Sequence, residues 1–169
     1  MVYSSSALYD AHMAKRTYVE TTVFSYLAAR PSRDLVVAAH QQVTREWWDT
    51  RRRGFDLFIS QVVVREAGAG DEEAKARRLE LLQGLPLVAI TDEAVQLAAA
   101  LIGGALLPPK ATDDALHLAL ATVHGMDFLL TWNCRHLANA ELAFPIREEL
   151  ARRGYPPLVI CTPEELLGV

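Results

Sequence analysis

Cysteine is scarce in this chain, long apolar runs are missing, and there is no excess of positive charge. Cys134 and Cys161 are the only cysteines. Two are too few for a disulfide framework, so a reducing cytoplasm is the expected setting. No apolar run approaches the roughly 20 residues that a membrane helix needs. The start of the chain lacks the basic flank and apolar core of a secretion signal. No membrane role is expected. Lys and Arg number 17 against 21 Asp and Glu, a formal net charge of −4, which argues mildly against a nucleic-acid partner. Positive charge is instead local, at Arg45, Arg51, Arg52 and Arg53 and at Arg152-Arg153. Solvated faces and helix C-terminal charges explain these groups without a ligand. Zinc spacing is missing as well. His117, His124, His136, Cys134 and Cys161 fit no zinc pattern, and no His-Glu-x-x-His occurs, so core or surface roles are expected of them.

What is present fits one globular domain. Apolar residues make up 51% of the 169, enough for a sizeable core and too short a chain for two domains. Residues 1–12 end on His12 before Met13, as a cloning junction would. They are expected to be a vector-derived or disordered leader, with a short arm packed on a partner as the alternative. Residues 13–169 are expected to form the single domain.

Short apolar runs alternate with helical patterns along that domain. Strands are predicted at Lys15–Glu20, 55–60, Pro86–Ile90, Phe128–Thr131 and Leu158–Ile160. The first helix, capped by Thr22, runs to the breaker Arg30-Pro31-Ser32. A longer one spans about 34–53. Ser60 caps a helix carrying Glu66, and Gly68-Ala69-Gly70 ends it. Further helices cover about 71–83, one capped by Thr91, 112–124 and 141–153. Thr162-Pro163-Glu164-Glu165 is a capping box that starts a terminal helix. Alternation of this kind predicts an α/β fold with a mostly parallel sheet and helices on both faces.

Four acidic or amide side chains fall at turning points of this pattern. Glu20 closes the first strand, Glu66 follows the second, Asp114 opens the helix at 112–124, and Asn133 follows the fourth strand. The C-terminal ends of parallel strands share one edge, where ligands bind, so residues distant in sequence can meet there. Hard oxygen ligands suit Mg²⁺ or Mn²⁺. Each has a plainer reading. Glu20 could pair with an arginine, although a buried carboxylate needs some partner. Glu66 could be an ordinary surface glutamate. Asn133 could cap a turn. Thr22 serves as a cap or as a neighbour of the site, and Thr131 orients a carboxylate or packs. Asp114 shares its face with Leu118 and Ala121 and so aims inward. Asp113 sits on the side of His117, as an outer-sphere or capping residue. Trp132 could stack on a base or pack at the strand end. Trp47, Trp48 and Leu166 are exposed apolar candidates for partner contact.

The ordered set Glu20-Thr21-Thr22, Ser60 to Glu66, Asp114-Ala115-Leu116 and Leu129-Leu130-Thr131-Trp132-Asn133 resembles the PIN-domain nucleases, most closely the VapC-type toxins of toxin–antitoxin pairs. The resemblance runs from about residue 15 onward. It implies a three-layer α/β/α fold and an endoribonuclease that binds Mg²⁺ or Mn²⁺. The implied catalytic residues are Glu20, Glu66, Asp114 and Asn133, with Glu20, Asp114 and Glu66 on the metal. Thr22, Asp113, Thr131 and Arg135 are secondary candidates, Arg135 to face the charge on phosphorus. The implied partners are an RNA substrate, a small antitoxin protein and a second copy of the chain. Two positions depart from the pattern: Glu20 and Asn133 stand where the family usually has Asp. Three carboxylates remain, which speaks against a second tightly held metal. The main rival is a catalytically weakened PIN-fold module that binds RNA or protein. A response-regulator-like switch is disfavoured because Lys110 lies in a loop just after Pro109.

Overall fold

A computed structural model describes residues 14–168; the expectation for residues 1–12 lies outside them. Five strands, β1 (Lys15–Val19), β2 (Phe55–Ser60), β3 (Leu87–Val88), β4 (Phe128–Leu130) and β5 (Val159–Cys161), form one sheet in the order β3-β2-β1-β4-β5. Every described pairing is parallel. The helices are α1 (Thr21–Ala28), α2 (Leu35–Thr50), α3 (Gln61–Ala67), α4 (Glu72–Leu82), α5 (Asp92–Gly103), α6 (Thr112–Val123) and α7 (Ala140–Arg152).

The strand order fixes the layers. From β1 the chain steps to β2 and then β3 in one direction, returns past β1 to β4, and continues to β5. Right-handed crossovers then place α1 to α4 on one face and α5 to α7 on the other. The packing agrees, since α1 lies against α2, α3 and α4, and α5 lies against α6. The direction reverses between β1 and β4. In an open parallel sheet that switch point opens a crevice beyond the strand ends.

Burial follows the same plan. Tyr18, Val19, Leu129 and Leu130, on the two strands that flank the switch point, are fully buried. Helix α6 is buried along most of its length, from Ala115 to Thr122, because it lies on the sheet and under α5. Its apolar circumference in the sequence has this cause.

Short polar side chains start most helices. Asp34, Ser60, Asp71, Thr91 and Asn139 each accept a backbone N–H from the first turn of the helix they precede, satisfying a donor that the helix itself cannot. The cap of α1 differs from expectation. Strand β1 ends at Val19, and Glu20, not Thr22, caps the helix by accepting the Thr22 N–H. The helix expected over 34–53 stops at Thr50, and a 3₁₀ turn covers Arg52–Gly54. Strand β3 has only two residues. The terminal capping box forms, with Glu165 accepting from the Thr162 backbone and hydroxyl, but it opens a single 3₁₀ turn at Glu164–Leu166. Trp47 and Trp48 are buried. Trp48 packs edge-on against Phe24, and the Arg52 guanidinium covers its ring. They are core residues and offer no surface to a partner. Among the described residues no helix is long and apolar enough to cross a membrane.

Candidate metal centre

Glu20 is only 4% exposed and stands where β1 leaves the sheet, its backbone N–H still bound to the Leu130 carbonyl. No arginine pairs with it among the described residues. Its Oε2 instead accepts from the Thr22 N–H at 3.1 Å, from the Thr22 hydroxyl, and from the Thr131 hydroxyl at 2.7 Å. The other oxygen, Oε1, receives no protein hydrogen bond among the described residues. Three donors on one oxygen fix the carboxylate's direction, while the second oxygen is left for another ligand. Thr22 is thus a direct neighbour of the site. Its hydroxyl also accepts the Trp132 backbone N–H at 2.8 Å, which ties α1 to the end of β4.

Glu66 reaches the same place from α3. Its Oε2 accepts from the Thr21 hydroxyl and lies 2.9 Å from His117 Nε2, and its Oε1 again has no protein donor among the described residues. Burial opposes ionisation of Glu66. The hydrogen bonds from His117 and Thr21 and the nearby Arg65 outweigh it and hold the carboxyl below its ordinary range. Ligand atoms of Glu20, Glu66 and His117 all lie within 4.8 Å of one another.

A core or surface role is expected of His117, and it is fully buried, but it is also part of the cluster. Its Nδ1 lies 2.8 Å from the Tyr18 hydroxyl, which lies 2.7 Å from the Ser60 hydroxyl. The proton order follows from chemistry. A carboxylate only accepts, so His117 Nε2 donates to Glu66. A neutral imidazole then accepts at Nδ1 from Tyr18, and Tyr18 accepts from Ser60. The Ser60 oxygen in turn takes the Val62 N–H. Every member is satisfied, and both His117 nitrogens are used. Burial pushes the Tyr18 phenol far above its usual range, keeping it a neutral donor. The sequence held one sign of this role: His117 follows Asp114 by three positions on one helix and so shares its side.

Asp114 stands outside that triad, one turn before His117. It is partly buried, and its Oδ2 lies 2.6 Å from His136 Nδ1. Asp113 does not pair with His117. It points outward and bonds Arg65 at 2.6 Å, because His117 turns inward to Tyr18 and Glu66. Asn133 caps a turn, its Oδ1 accepting the His136 N–H at 3.2 Å. Thr131 is buried and bonds Glu20, and its hydroxyl also accepts the Asn133 N–H at 2.9 Å. Arg135 is exposed on that turn. Trp132 is buried, stacked on His40 at 4.1 Å and bonded through Nε1 to Thr44, so it packs rather than offering a free face.

The donor set fits a hard divalent ion. Two carboxylates each present an unengaged oxygen, and a second set of side chains fixes both.

No family model matches the chain, and no curated protein is similar to it in sequence. A solved structure is similar to it in fold: the crystal structure of VapBC2 from Rickettsia felis bound to a DNA fragment from their promoter. The match covers 87% of this chain and 98% of that one, with a TM-score of 0.54 and 14% sequence identity. At that identity the likeness concerns the fold, and the chain is an α/β protein with a PIN-like all-parallel five-stranded sheet.

Proposed function

We propose that this protein is a metal-dependent endoribonuclease that hydrolyses RNA phosphodiester bonds and acts as the toxin of a toxin–antitoxin pair. One observation carries the reading. Two acidic side chains from different elements converge at the switch point of a parallel sheet, each held by one oxygen with the other left open. Glu20, Glu66 and Asp114 would hold Mg²⁺ or Mn²⁺, which when bound supplies Lewis-acid polarisation of the phosphodiester and acidifies water. The chain's own groups do the positioning. Thr22 and Thr131 direct Glu20, Thr21 and His117 direct Glu66, and Arg135 would offset charge on the phosphate.

Incubating a mixed RNA substrate with Mn²⁺, and in parallel with chelator, tests the reading. Cleavage with Mn²⁺ that leaves 5′-phosphate ends and stops with chelator is expected. Cyclic phosphate ends or chelator-insensitive cleavage would refute hydrolysis at this centre. A small antitoxin protein and a second copy of the chain are the proposed partners. A monomer by light scattering at high concentration would remove the dimer and leave the nuclease standing. The rival reading, a catalytically weakened module that binds RNA or protein, is favoured by Asn133, whose side-chain oxygen is already committed to the His136 N–H. RNA binding without cleavage in Mn²⁺ would select it.

A further inference from the structure

We infer that His136 is a positioning residue for Asp114, and that Asn133 acts by building the turn that aims it. The inference rests on the metal-site reading above and deepens it. His136 Nδ1 lies 2.6 Å from Asp114 Oδ2. An ionised carboxylate only accepts, so Nδ1 carries the proton and the tautomer is fixed. Asp114 then presents Oδ1, which has no protein donor among the described residues, as Glu20 and Glu66 present Oε1.

The turn is built for this contact. Asn133 Oδ1 takes the His136 N–H, and the Asn133 carbonyl takes the Ala138 N–H at 2.9 Å. The Asn133 N–H donates to the Thr131 hydroxyl, which donates to Glu20. An unbroken series of hydrogen bonds and one short stretch of backbone therefore joins Glu20 to Asp114. It sets two carboxylates, 94 positions apart in the sequence, in one frame. Histidine performs the same task twice here, since His117 holds Glu66 as His136 holds Asp114. The residues that orient metal ligands commonly weigh 10–100-fold, roughly, in metal affinity.

Calorimetric titration of Mn²⁺ into the whole protein, with melting followed alongside, tests this. His136→Ala should fold and bind Mn²⁺ at least about 10-fold more weakly than the parent. An asparagine side chain places an N–H near the Nδ1 position, so His136→Asn should recover most of that loss, and its RNA cleavage should recover with it. His124→Ala, which removes a ring that among the described residues bonds only the Ala89 carbonyl, should bind as the parent does. Parental Mn²⁺ affinity in His136→Ala overturns the inference and leaves the metal centre intact. A failure of His136→Asn to recover affinity also overturns it, because the imidazole would then act through Nε2. A parent that takes up no Mn²⁺ overturns the metal-site reading itself.

Discussion

Replacing Tyr18 by Phe removes one oxygen from the middle of the buried series Ser60, Tyr18, His117 and Glu66. The ring stays, so packing is nearly unchanged, and the cost is that of broken polar contacts. Two hydrogen bonds are lost, at 2.7 and 2.8 Å. Ser60 and His117 are both fully buried, so neither orphaned group can turn to water. Each such group costs about 1–3 kcal/mol. Sparing the Tyr hydroxyl its own desolvation offsets part of this, which leaves roughly 2–4 kcal/mol. For a chain of this size about 1 kcal/mol moves the melting midpoint by about 2–4 °C, so a drop on the order of 10 °C is expected. Tyr155→Phe supplies the contrast. Its hydroxyl bond to Glu93 is exposed, so that variant should stay within about 1 kcal/mol of the parent. Denaturant titration in metal-free buffer measures both, and Tyr18→Phe combined with Ser60→Ala should cost less than the two singles together, by about 1 kcal/mol. Mn²⁺ affinity should fall as well, because Glu66 loses a firmly held His117. A Tyr18→Phe variant within about 0.5 kcal/mol of the parent would refute the network.

Asp114→Asn should abolish cleavage and melt no lower than the parent in metal-free buffer, since the amide oxygen still accepts from His136 while one negative charge disappears; a clearly lower melting point would make Asp114 a structural residue. Glu66, held below the ordinary carboxylate range, contributes stability that is present above that range and is lost as pH falls through its folded value. Denaturation of parent and Glu66→Gln should therefore show a stability gap at neutral pH that closes in acid, and a gap that is the same at pH 3 and pH 7 would contradict the sign. Asn133→Asp should keep the turn, because a carboxylate accepts the His136 N–H equally well, and its added charge should strengthen Mn²⁺ binding by calorimetry. Unchanged affinity would confine Asn133 to capping.

The sequence by itself determined the element order and the parallel architecture, because apolar runs and capping residues are local and periodic signals. Ser60, Thr91 and the glycines around position 69 punctuate the chain where the structure breaks. It also marked Glu20, because an acid at the end of a buried strand has little structural reason to be there, whereas Glu66, on a helix, stood out only through the family resemblance. Boundaries slipped where a side chain had two possible jobs. Thr22 reads as a cap, yet Glu20 takes the cap and the Thr22 hydroxyl binds Glu20 and the β4 end. Only the tertiary structure decided the partners. His117 looked like one more core residue until crossing elements brought Tyr18 and Glu66 to its two nitrogens. His136 acquires a role only because the turn after β4 comes to rest against the start of α6. Helical and strand periodicity tell which face a residue occupies. Which distant residue faces it depends on strand order and crossover hand, and no local pattern encodes those.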